Sequence, residues 1–397
     1  MPQPDYSFDW TLAPSTPDDF FANTFERKHM VIRRNDPDYY RSLLSFAEID
    51  TVVSTMGLSV PEITVTKSGG NITAADYAYD SGFVDAVRVS QLFADGATVV
   101  LSGLQERLPK LAQFCRALEQ AISCRVQTNI YMTPPGSQGF NAHYDNHDVI
   151  VLQIEGTKEW RIYDTPVELP LNTQAFDPHR VQVGAETDRF VLEPGDMCYV
   201  PRGMAHDAVA TDQVSLHITT GLLLRTWADL LAEAVNTMAH DDPAFRRALP
   251  PGHANAGFDA APHLATFQDL TARLAAKAPV AKLLDSFKQD FLTNRVPRAP
   301  GQLAQVRRLQ SLTESDHVGA RPHLIFDLMQ GGDGDDATIT VICQGAEVTL
   351  PAFTETALRH CLITRDFVLS DMPGDLDTPG KMVLVRRLVR EGLMQVN

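Results

Sequence analysis

Two histidines and an aspartate open the case. His143-Tyr144-Asp145 places an imidazole and a carboxylate two residues apart, and in extended backbone such residues project to the same side, so both can bind one ion. A chain with 12 histidines offers such a pair by chance, and this one holds a second, His240-Asp241-Asp242. Context separates them. The second closes a helical stretch before Pro243 and reads as a helix-end histidine with solvated acids. The first stands between two strand-like runs, Asn129–Met132 and Val149–Ile154. Two histidines and one carboxylate would occupy one face of an octahedron. The other face stays open for a bidentate cosubstrate and O₂, an arrangement that favours Fe(II) over a closed structural zinc site.

The third ligand is expected downstream. Gly195-x5-Pro201-x-Gly203-x2-His206 resembles the second cupin motif, in which the histidine binds metal. Many cupins carry His-x-His where this chain has His143 and Asp145, which moves the expectation towards 2-oxoglutarate chemistry. A cosubstrate with two carboxylates needs a cation at its far end. Lys158 follows the strand after the triad, alternates with Trp160 and Ile162 on one face, and can run its stem along an apolar wall. Tyr131 and Asn129 share a face of the preceding strand and are candidates to hydrogen-bond the same cosubstrate. On the last strand Ser215, His217, Thr219 and Gly221 share a face. Thr219 is a further cosubstrate candidate, His217 stays open between core packing and the pocket, and His147 sits on the rim.

These residues need a rigid carrier. Residues 1–225 read as mainly β, with short apolar runs at Thr128–Met132, Val149–Ile154, Phe190–Leu192 and Met197–Val200, plus one helix over Leu108–Ile122. The expected fold is a double-stranded β-helix of the cupin type. From Trp227 the period turns helical, with Leu230, Leu231, Ala234 and Val235, then Phe267–Leu292, around a loop from Pro250 to Pro262. Residues 226–305 are therefore expected to be a helical region, a common place for a partner or self-association surface. Residues 306–397 mix a strand, Thr338–Cys343, with helices around Pro351–His360 and Thr378–Leu393, which suggests a winged-helix-like α+β module. The turn Gly331–Asp336 lacks the spaced ligands of a calcium loop and reads as a solvated acidic turn.

Bulk composition sets limits. The formal charge of −16 disfavours direct nucleic-acid binding and is compatible with a basic protein or peptide partner. Five scattered cysteines, none spaced Cys-x-x-Cys, exclude a disulfide framework, and no apolar run is long enough to span a membrane. With Asp5, Asp9 and Trp10 where a secretory leader would be basic and apolar, a cytoplasmic protein is expected.

The run Asn129–Trp160, with Tyr-Met-Thr-Pro-Pro-Gly-Ser-Gln-Gly, His-Tyr-Asp and Gln-Ile-Glu-Gly-Thr-Lys-Glu-Trp, resembles the Jumonji-C ribosomal oxygenases, a cupin-like family. The segment Phe20–Arg34 resembles that family's N-terminal entry. The resemblance implies a Jumonji-C barrel, a helical dimerisation region and a winged-helix module. It also implies iron on His143, Asp145 and His206, 2-oxoglutarate on Lys158 with help from Tyr131, and a homodimer. The implied reaction is hydroxylation of a protein or peptide side chain, such as an Arg or His of a ribosomal protein. A peptide from a biosynthetic pathway fits equally, while methyl-lysine demethylation, an oxoglutarate-independent cupin and a non-catalytic scaffold for a basic partner are the competing readings. One departure stands out: Gly221 replaces a serine that relatives can carry late in the last strand.

Overall fold

The computed structural model describes residues 5–397. Ten strands build the part of the chain that carries the histidines: β1 (Met30–Ile32), β2 (Ile63–Thr66), β3 (Thr98–Ser102), β4 (Arg125–Thr133), β5 (Asp148–Glu155), β6 (Lys158–Tyr163), β7 (Glu186–Leu192), β8 (Met197–Val200), β9 (His206–Ala210) and β10 (Ser215–Leu223). Seven form one antiparallel sheet in the order β1-β8-β5-β10-β4-β3-β2, and three form a smaller sheet, β7-β6-β9. From β5 to β10 the chain passes from the large sheet to the small one and back twice. This passage between two facing sheets fits the cupin-type double-stranded β-helix expected from the sequence.

The apolar pattern explains the layers. Val149 and Val151 of β5 pack with Trp160, Ile162, Phe190, Leu192, Cys198 and Val200 between the two sheets. Their neighbours Ile150, Leu152 and Ile154 face the other way, onto a core that includes Leu111, Phe114 and Leu118 of the helix Pro109–Ile122. Buried on both faces, β5 is apolar without alternation. Register is fixed where the site lies, with Thr219 opposite Asn129 and His217 opposite Tyr131 on the paired strands β10 and β4.

The first 122 residues correct the mainly β reading. They hold helices Phe8–Leu12, Pro17–Asn23, Phe46–Thr55 and Ala86–Ala94 beside β1, β2 and β3. Caps drive this locally: Thr16 accepts from the Asp19 amide and Ser45 from the Glu48 amide, and Ile49 and Val52 then fall on one buried face. The helical run expected over Phe267–Leu292 is two helices, Leu264–Lys277 and Val280–Thr293. Pro279 forces Ala278 out of helical backbone, to ψ 127°.

Beyond the helix Gln302–Arg308 come six strands: β11 (His317–Ala320), β12 (Asp327–Gly331), β13 (Thr338–Cys343), β14 (Ala346–Pro351), β15 (Phe367–Val368) and β16 (Met394–Val396). They form two three-stranded sheets, with helices Glu355–Ile363 and Thr378–Arg390 packed around a separate core. The acidic turn is exposed. Polar contacts tie the later segments to the first part: Arg295, just after the helix Val280–Thr293, pairs with Glu119, which Arg116 also holds, all three buried, and His323 bonds the Asp5 carbonyl at 2.7 Å.

Candidate active site

His143 and Asp145 lie on the segment entering β5 rather than inside a strand, and His206 opens β9. The two segments are joined by a backbone bridge, His143 N–H to the His206 carbonyl at 3.1 Å and the reverse at 2.8 Å. The Gly203 amide donates to the Asp145 carbonyl at 2.9 Å, and at φ +84° a side chain there would run into the Val167 carbonyl. Only glycine fits that turn.

The three side chains converge. One ligand atom from each of His143, Asp145 and His206 lies within 4.8 Å of the others. Asp145 Oδ1 is 3.9 Å from His143 Nε2, and Asp145 Oδ2 is 3.6 Å from His206 Nε2. Each ring is oriented through its other nitrogen: His143 Nδ1 meets the Asn141 carbonyl at 2.8 Å and His206 Nδ1 the Met204 carbonyl at 3.1 Å. That arrangement leaves both Nε2 atoms free for a metal, as in sites where a carbonyl fixes the ligand tautomer. Burial, then the neighbouring His143, lower the His206 pKa, so this imidazole is neutral and ready to ligate. Two imidazole nitrogens and a carboxylate oxygen suit Fe(II).

The triad forms the mouth of a cavity walled by Thr98, Tyr131, Lys158, Trp160, His217 and Thr219. Lys158 is 4% exposed, and burial lowers its pKa to about 7. Its Nζ donates to Thr133 Oγ1 at 3.0 Å, and no carboxylate pairs with it among the described residues. A buried ammonium without an acid is a place for an anion. Burial also raises the Tyr131 pKa, keeping its phenol protonated.

Tyr131, Lys158 and Thr219 are thus brought to the cavity with the triad. Asn129 lies two residues before Tyr131 on β4 but does not wall the cavity; it stands opposite Thr219 in the register. Gly221 is explained by its neighbour. A Cβ there would meet the His147 ring at 3.1 Å, so imidazole occupies the space a side chain at 221 would need.

The motifs did not point to Asp148 and Arg202. Asp148 is fully buried and bonds Tyr199, while Arg202 reaches it at 2.9 Å and Glu26 at 2.6 Å. This cluster holds the turn that delivers His206. The one signal was local: a charged residue opening an otherwise apolar strand.

Comparison with known proteins agrees with this geometry. Residues 101–230 match the JmjC domain family. The chain is 33% identical to ribosomal oxygenase 1 of Rattus norvegicus over 316 residues, covering 73% of this chain and 51% of the relative. It is 31% identical to the bifunctional lysine-specific demethylase and histidyl-hydroxylase NO66 of Culex quinquefasciatus, covering 61% and 39%. The chain spans about half the length of these ribosomal oxygenases. In fold it is similar to the Escherichia coli ribosomal oxygenase YcfD, with a TM-score of 0.53 at 15% identity over 96% of this chain and 98% of that one. Residues 101–230 thus carry a JmjC domain, and the chain is similar over most of its length to Jumonji-C ribosomal oxygenases, as the resemblance in its sequence implied.

Proposed function

We propose that this chain is an Fe(II)- and 2-oxoglutarate-dependent oxygenase that hydroxylates a side chain of a protein or peptide. The observation that carries the reading is one cavity with His143, Asp145 and His206 at its mouth and an unpaired, buried Lys158 in its wall. Iron held there, with 2-oxoglutarate chelated to it, would couple decarboxylation of the cosubstrate to succinate with insertion of one atom of O₂ into a C–H bond. His143 and His206 bind through Nε2 while Asn141 and Met204 carbonyls hold the rings in place. Lys158 orients the far carboxylate, Tyr131 and Thr219 line its path, and Asn129 stands behind them, opposite Thr219, as a further candidate to hydrogen-bond the cosubstrate. Trp160 and Val149 keep water from the reacting face.

Relatives named ribosomal oxygenase and histidyl-hydroxylase support a protein substrate, a His or Arg of a ribosomal protein first, with a biosynthetic peptide as the alternative. The charge of −16 supports a basic partner and disfavours nucleic acid. A second reading, methyl-lysine demethylation, is favoured by the double name of the NO66 relatives. Mass spectrometry of a treated peptide separates them: one oxygen gained, or one methyl lost.

Three further parts belong to this proposal. Residues 1–225 act as the catalytic domain, 226–305 as a dimerising region and 306–397 as a winged-helix-like module. Support for the dimer comes from Leu231, Leu264, Phe267 and Leu284, all more than half exposed on the middle helices. The hairpins β12-β13-β14 beside helix Glu355–Ile363 support the winged-helix reading. Five buried, unbridged cysteines support a reducing, cytoplasmic location, and among the described residues no helix is long and apolar enough to cross a membrane.

The test is anaerobic. Adding Fe(II) and 2-oxoglutarate to the metal-free protein is expected to give the visible charge-transfer band of the chelate. Bound iron without that band would sink the oxoglutarate reading.

A further inference from the structure

We propose that His217 is a second anchor for the distal carboxylate of 2-oxoglutarate, donating a hydrogen bond from its imidazole N–H beside the Lys158 ammonium. This rests on the cofactor reading above and adds to it a residue that the motifs left undecided.

His217 is 2% exposed and walls the cavity from near the start of β10. Its ring lies flat on Tyr131, with centroids 4.9 Å apart and planes 3° from parallel, and meets the Trp160 ring edge-on at 5.9 Å. Lys158 approaches the same Tyr131 ring from elsewhere, its Nζ 6.0 Å from the centroid. Three elements, β4, β6 and β10, therefore bring an imidazole and an ammonium around one aromatic platform.

What a core histidine normally has, this one lacks. Its Nδ1 is buried without a hydrogen-bond partner, and neither ring nitrogen bonds a described protein group. Trp160 Nε1, in the same cavity wall, is likewise buried and unpartnered. Buried polar atoms are nearly always satisfied, so two orphans in one wall mark the place of an oxygen-rich group. Burial, and then the charge of Lys158, hold the imidazole neutral. A neutral ring has one N–H to donate, and a carboxylate has lone pairs enough for both neighbours. Lys158 supplies charge and His217 supplies direction. The flat stack on Tyr131 fixes the ring, so the hydrogen bond needs little further ordering.

A core histidine serving only to pack against Tyr131 would make a different prediction, and a truncated ligand tells the two apart. Pyruvate has the chelating 2-oxo acid half of 2-oxoglutarate and no distal carboxylate. Fe(II)-loaded protein is titrated anaerobically with each ligand, for wild type, His217→Phe and His217→Gln. Phe keeps an aromatic ring on Tyr131 without a donor; Gln restores an N–H at similar reach. The expected result for His217→Phe is a loss of 2-oxoglutarate affinity of about tenfold or more, while pyruvate changes less than about twofold. His217→Gln should recover most of the loss. Unchanged 2-oxoglutarate binding in His217→Phe, or equal losses for both ligands, would overturn the anchor and leave the cofactor reading intact. No chelate band in the wild type would overturn both.

Should His217→Phe fail to fold, the wild-type protein answers alone. With ¹⁵N-labelled histidine and diamagnetic Zn(II) in the metal site, the His217 ring resonances, assigned from His217→Gln, should move with 2-oxoglutarate and stay in place with pyruvate. An equal response to both, or none to either, would refute the assignment.

Discussion

Strand β5 and the helix Leu264–Lys277 treat apolar residues in opposite ways. In β5 every residue but Glu155 is buried, because the small sheet covers one face and the N-terminal helices the other. The helix buries none of its residues, and Phe267 is 69% exposed. A small core of Leu230, Ala234 and Leu283 joins these middle helices. The barrel has completed its packing within one chain, which lets it hold ligand atoms in fixed positions. The middle helices have not. Their unspent apolar surface is what supports the self-association proposed for them.

The sharpest way to break the comparison is at the mouth of the barrel. Asp145→Ala should leave less than about one hundredth of wild-type turnover and no chelate band, since losing a ligand outweighs the tenfold to hundredfold cost of losing a ligand's supporting partner. Retained turnover would remove the metal from the reading. Lys158→Ala comes next. Removing one partner of a buried charge pair typically costs about 3–5 kcal/mol, so the 2-oxoglutarate dissociation constant should rise at least about a hundredfold in anaerobic titration.

Core packing follows. Ile218→Ala, in a fully buried position on β10, should lower stability by about 2–4 kcal/mol in chemical denaturation. The matching change on the exposed helix face, Phe267→Ser, should move stability of the dissociated protomer by only about 0.5 kcal/mol, yet shift sedimentation towards monomer. An unshifted sedimentation profile would mean that the helices are not the contact surface.

The smallest effect is in pH. Burial lowers the Lys158 pKa to about 7 in the free protein, while 2-oxoglutarate needs the charged form. Below pH 7 the charge is already present. Above it, binding must take up a proton, so affinity should weaken by up to about tenfold per pH unit. Lys158→Arg, which stays charged, should flatten that slope. The same shift has a sign for stability without ligand. The unfolded lysine titrates near 10.5 and the folded one near 7, so from pH 7 to 10 this group makes the protein more stable as pH rises.

Some of this was legible without coordinates because local chemistry sufficed. His143, Asp145 and His206 were found from motif spacing, and Lys158 from its alternation with Trp160 and Ile162, since strand periodicity survives in any environment. The helix over Pro109–Ile122 was visible from one apolar face for the same reason. The helical N-terminal segment was misread because its short apolar clusters carry too few turns to show a period, and the caps decided the outcome.

What the sequence by itself determined is which residues could form the triad and which lysine could face them, all written in residue types at fixed spacings along single segments. What only the tertiary structure decided lies across strands. Register puts His217 over Tyr131 and beside Lys158, a turn folds His147 into the space above Gly221, and Arg202 reaches Asp148 to brace the turn before His206. Those relations depend on which residues face each other between segments far apart in the chain, and no spacing along the chain encodes them.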